Sequence, residues 1–142
     1  MKCNLSRLML LAIGALLLGS AAFAQEINVQ AKVPFAFMIG DKLHPAGQYS
    51  VENVIANNHA LRLRNRNSGT VAFILYHPAS ATVPAERTQL VFHRLGSTYF
   101  LYQVRVAGST LGREFQSSHV ETEMALKATD KETVIVAANL IH

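Results

Sequence analysis

From Ile27 the chain alternates. Ile27, Val29, Ala31 and Val33 are apolar, while Asn28, Gln30 and Lys32 between them are polar. A period of two marks a strand with one face buried. Pro34 interrupts it; a residue that cannot donate to a ladder belongs at a bulge or an edge. The pattern resumes with Phe35, Phe37 and Ile39, and "GDKLHPAG" (40–47) then reads as a loop with a glycine at each end and Pro45 presetting φ for a turn. Tyr49, Val51 and Asn53 against Ser50, Glu52 and Val54 form a second strand, and "ANNHA" (56–60) a turn. In "LRLRNR" the alternation is strict: Leu61 and Leu63 face one way, Arg62, Arg64 and Arg66 the other.

"NSG" (67–69) is a hairpin-type turn, and "TVAFILYH" (70–77), apolar on both faces, reads as a central strand. The segment 78–86, with two prolines and several small residues, reads as a loop. "TQLVFHRL", "GS" and "TYFLYQVRV" then make the clearest hairpin in the chain, with Gly96 and Ser97 suited to a type II′ turn. Gly108 to Gly112 closes that unit. After it, Ser118 followed by Glu121 is a capping box opening one short helix, Ser118 to about Ala128. "TVIVAANLI" (133–141) is the last strand. About seven strands at short spacing, with one helix in the C-terminal half, predict an all-β fold, a small antiparallel barrel or sandwich, and not βαβ units.

The start of the chain follows another rule. Lys2 and Arg7 flank a polar opening, "LMLLAIGALLL" (8–18) is apolar throughout, and "AFA" places small residues before a cut after Ala24. This is the pattern of a secretory signal peptide, and the run is about half the ~20 residues a membrane-crossing helix needs. The expectation is a protein exported to the periplasm or beyond, with residues 1–24 removed and 25–142 forming one β-rich domain. Cys3 is the single cysteine of the 142 residues and lies in that leader, so the domain must be held by its core and not by disulfides. The formal charge of +4 includes Lys2 and Arg7 of the leader. The remainder is too weakly basic for a nucleic-acid binder, and no second apolar run reaches membrane-spanning length.

Candidate chemistry is sparse. His44, His59, His77, His93, His119 and His142 form none of the spacings used to ligate metals, so no metal and no cofactor is expected. His77 and His93 lie on strands that could meet in space. "GSTLG" (108–112) is not a nucleophile elbow. Glu121 and Glu123 point away from each other on a helix, which assigns them to the cap and to solvent and not to a catalytic pair. Arg62, Arg64 and Arg66 line one strand face and are candidates for an anionic partner, set against an outer face that merely protects the strand from aggregation. Among the aromatics, Phe73, Phe92, Phe100 and Tyr102 lie on strands apolar on both faces. If the sheet curls into a barrel, they are the candidates to line a pocket for a lipid-like molecule.

Two blocks carry a resemblance. "VPFAFMIGDKLHPAGQYSV" (33–51) and "LVFHRLGSTYFLYQVRVAGSTLGREFQSSHVETEMAL" (90–126) are similar to an uncharacterised family of short exported bacterial all-β proteins, with the signature V-P-F-x-F-x-x-G…P-A-G-x-Y-x-V. The family pattern has leucine before the P-A-G turn, where this chain has His44. The resemblance implies export and a β fold and carries over no site residue. The leading expectation is a non-enzymatic exported protein that binds a small apolar ligand, a glycan or a protein at the cell envelope. Its rivals are an interaction protein with no ligand pocket and, last, a small hydrolase.

Overall fold

The computed structural model describes residues 27–54 and 59–141, so the expected leader and most of the expected 56–60 turn lie outside the described residues. Ten strands run in chain order as β1 Asn28–Val33, β2 Phe37–Ile39, β3 Lys42–His44, β4 Gly47–Asn53, β5 Ala60–Asn65, β6 Val71–Ser80, β7 Gln89–Leu95, β8 Thr98–Arg105, β9 Leu111–Phe115 and β10 Lys131–Leu140. One helix, α1 His119–Lys127, separates the last two. The sheet order is β3-β2-β8-β7-β10-β1-β4-β5-β6-β9, and β9 also pairs with β8. That last pairing closes eight antiparallel strands into a barrel and decides between the two architectures left open by the sequence. β2 and β3 form a hairpin attached beside the barrel, where Met38 of β2 runs parallel to Phe100 of β8.

The alternating residues do what their spacing implies. Val29, Ala31 and Val33 of β1, Val51 of β4, Leu61 and Leu63 of β5, and Leu90 and Phe92 of β7 are all buried in one core cluster with Leu101 and Val104 of β8. Phe92 is fully buried. At Pro34 the chain leaves the ladder, and the two phenylalanines after it fold onto the barrel end. Phe35 stacks on Tyr99 (ring centroids 3.8 Å apart) and meets Phe92 edge-on at 5.0 Å; Phe37 meets Phe92 at 5.3 Å and Tyr49 at 5.0 Å. The V-P-F-x-F stretch is thus an aromatic plug. Burying several rings in edge-to-face contact supplies much of the core's apolar area.

Two strands extend beyond the sequence reading. β3 falls inside the expected 40–47 loop, paired with β2 across a turn at Gly40. β6 continues through Pro78 to Ser80, where a loop was expected. It can do so because its two halves have different neighbours: Val71 to Leu75 pair with β5, Tyr76 to Ser80 with β9. The N–H that Pro78 lacks would point to the side where β5 is already gone, so no ladder bond is lost. β9 replaces part of the expected 108–112 turn. At its centre Gly112 lies so close to Gln103 that an added Cβ would come within 2.6 Å of the side-chain amide. The β7–β8 turn is as expected, with Gly96 at φ 62°, the value that the first central residue of a type II′ turn requires.

The helix forms where its cap is encoded: the Ser118 Oγ accepts a hydrogen bond from the Glu121 N–H at 3.1 Å. It rests on the outer face of the β7–β8 hairpin, since Met124 and Leu95 line one groove and Glu121 reaches His93. Among the described residues no helix is long and apolar enough to cross a membrane.

His44 occupies a core position, 7% exposed and stacked on Phe37 at 5.8 Å. Burial, and next the charge of Lys42, hold its pKa below the ordinary 6.5. The unfolded chain therefore takes up a proton near pH 6.5 that the folded protein resists. The contribution is intact above that pH and is lost as pH falls through and below it. The expected result is a urea midpoint that drops on acidification below pH 6.5, and a shallower drop for His44→Leu. An unchanged slope in the variant would assign the effect to another group.

Candidate functional site

The four aromatic candidates do not converge. Phe92 is inside the barrel. Phe100, 2% exposed, belongs to the outer side of β8, beneath α1. A bulge is responsible for the position of Tyr102: Phe92 pairs with Leu101 but Val91 pairs with Gln103, so Tyr102 has no partner across the ladder and turns outward to stack on His93 at 3.9 Å. Phe73 is 68% exposed on the outer face of β6. The barrel axis is occupied instead by Val29, Val51, Leu61, Leu63, Leu90 and Val104, each no more than 1% exposed.

Under α1 the structure assembles a polar cluster that the sequence did not indicate. His93 Nδ1 lies 3.1 Å from Glu121 Oε1, both residues buried at 7%. Glu121 was assigned to the cap and solvent; its backbone N–H does serve the cap, but its carboxylate is drawn to His93. Burial, a hydrogen bond to Glu114 and the charges of Glu114 and Glu121 all push the Tyr102 hydroxyl above its usual pKa. This cluster ties the helix to the barrel. His77 does not join it; it is exposed on β6 opposite Glu114. Among the described residues no three His, Cys, Asp or Glu side chains gather as a metal site would require.

The other assembly lies on the outer face of β4, β5 and β6. Antiparallel register sets Glu52, Arg62 and Phe73 in one row across the three strands, and Ser50, Arg64 and Val71 in the next. Leu75 follows Phe73 along β6. Val71, Phe73 and Leu75 are 42%, 68% and 73% exposed, an apolar strip with solvent in front of it. The sequence reading of β6 as a central strand holds for its edges, which β5 and β9 pair, but the apolar residues of its outer face are bare. β5 supplies the arginines because its leucines take the core, which forces Arg62 and Arg64 outward. Arg62 is paired with Glu52. Arg64 and Arg66 line a polar notch of about 180 Å³ together with Ser50, itself 4% exposed, and Glu52, whose carboxylate is held by Arg62.

Arg66 is held at that notch by its turn. Asn65 is buried at 2%, and its Oδ1 accepts from the N–H groups of Asn67 (2.8 Å) and Ser68 (3.1 Å) while its Nδ2 donates to the Tyr49 hydroxyl (3.1 Å). The Arg66 N–H itself donates to the Gln48 carbonyl at 2.7 Å. Of the expected site residues, then, Arg62, Arg64 and Arg66 share one face, and Phe73 joins them there. Val71, Leu75 and Ser50 complete that face. The i, i+2 spacing of Val71, Phe73 and Leu75 was readable in the sequence, but not which side of the strand would remain bare.

Comparison with known proteins gives no match: no family model fits the chain, and neither a curated protein nor a solved structure is similar to it at a significant level.

Proposed function

We propose that this chain is a non-enzymatic exported protein that acts by binding at the cell envelope through the outer face of β4–β6. The observation that carries this reading is the exposed strip Val71, Phe73 and Leu75 beside an arginine row, on a barrel whose axis is taken up by its own side chains. Contiguous exposed apolar surface with a charged margin is characteristic of interaction sites. A folded domain that must keep a phenylalanine and a leucine about two-thirds bare gains nothing for its own stability from them. The interior-ligand reading fits less well, because its four aromatic residues are distributed over the inside, the outside and the underside of the helix.

Retention on envelope fractions tests it. The purified protein is expected to sediment with envelope membranes from its host, and Phe73→Asp to stay in the supernatant. Ile135→Asp, at an exposed position on β10, is the matched control and is expected to behave as the wild type. Circular dichroism checks that each variant is folded. Equal retention of wild type and Phe73→Asp would sink the assignment of this face.

A further inference from the structure

We infer that the partner of this face is an anionic lipid surface, with the β6 strip entering the apolar margin of the layer and Arg64 and Arg66 taking a phosphate. The inference rests on the reading above and specifies what that face meets.

Three observations favour an anionic layer over other occupants. The first is the one-sided charge. From Asn53 to Ala85 the chain contains no acidic residue, and Glu52, the carboxylate of β4–β6, is committed to Arg62. Arg64 and Arg66 have no acidic partner among the described residues. The second is the combination on a single face. Register puts Arg64 directly opposite Val71 and Arg62 directly opposite Phe73, so adjacent strands present charge and apolar groups side by side. A lipid layer offers the same pair of chemistries, phosphate above and hydrocarbon below, and basic groups near such a surface are each drawn to it. The third is the notch. Arg64 and Arg66 line a space of about 180 Å³ with the buried Ser50 and with Glu52, whose charge is answered by Arg62, which leaves two guanidinium forks and a hydroxyl for one phosphate group.

A second copy of the chain fits this face poorly. A twofold contact would set the same cationic patch on both sides of the interface, with Glu52, already paired with Arg62, as the acid of each face. A lone anion in the notch would leave Phe73 and Leu75 uncovered.

The test is co-sedimentation with protein-free vesicles, of phosphatidylcholine alone and of phosphatidylcholine and phosphatidylglycerol in equal parts. The wild type is expected to bind the mixed vesicles and release them as salt is raised. Neutralising both arginines in Arg64→Gln/Arg66→Gln should weaken partitioning roughly thirtyfold, the order expected from two lost surface charges. Phe73→Asp should weaken it as well, and Lys131→Gln, at an exposed residue of β10, should not. Equal binding by the wild type and the double variant would overturn the inference. So would binding of inorganic phosphate in the notch with no binding to vesicles. Retention on envelope membranes with no affinity for any vesicle would also overturn it, while leaving the face assigned to another envelope component such as a protein.

Discussion

Phe92→Ala is expected to cost the barrel about 3–5 kcal/mol, the range seen when a fully buried aromatic ring is truncated. Phe92 is 0% exposed and packs edge-to-face with both Phe35 and Phe37, so its loss opens a hole that the plug and the β7–β8 hairpin must both adjust to fill. Domains of this size are held by about 5–15 kcal/mol in total, so the variant will be marginal at room temperature. Phe73→Ala, by contrast, should stay within about 0.5 kcal/mol of the wild type, because that ring is already in solvent. Urea denaturation of both, followed by circular dichroism, reads the difference as a gap between midpoints. Similar midpoints would mean that Phe92 does not organise a packed interior, and the interior-ligand reading would regain ground.

Asn65→Ala is expected to cost about 2–3 kcal/mol, although the residue removed is polar. Its amide satisfies two backbone donors of the 66–69 turn and donates to the Tyr49 hydroxyl, which donates in turn to the Pro45 carbonyl. Alanine leaves Tyr49 without that donor in a buried setting and frees the turn that carries Arg66. Two readouts should therefore move together: the denaturation midpoint falls, and vesicle binding weakens at a temperature where the variant is still folded. Loss of stability with undiminished vesicle affinity would separate the turn from the notch.

How much of this was legible depended on whether a residue's fate was decided locally. β1, β5 and the β7–β8 hairpin could be read because their alternation is complete, and α1 because Ser118 caps it within its own turn. β9 was hidden for a physical reason. One of its central residues is the glycine that admits Gln103, and Arg113, paired with Val104 of β8 and lying over the Tyr76 ring at 5.5 Å, stands where an apolar residue would have revealed the pattern. Glu121 was misread because its helical context offers it a cap, while the stronger claim comes from His93, 28 positions earlier in the chain. β6 was misread for the same kind of reason. Its apolar composition on both faces says that it could be covered twice; only the closure of β9 onto β8 decides that nothing described covers the outer side.

β1 has β4 on one side and β10 on the other, with Val29 opposite Val51 and also opposite Leu140. The seam of the barrel therefore joins the first described strand to the last. Whatever meander of β4, β5 and β6 forms early, its free edge at β1 must wait for residues near the C-terminus before it is paired. Folds dominated by such distant pairings rank among the slow ones, because chain entropy is surrendered before the contacts that repay it exist. In time, as distinct from in space, the molecule has an order: the edge of β1 that faces β10 stays open until residues 138–140 are available to pair with it. The geometry that closes the barrel thus also keeps it from closing before β10 is present.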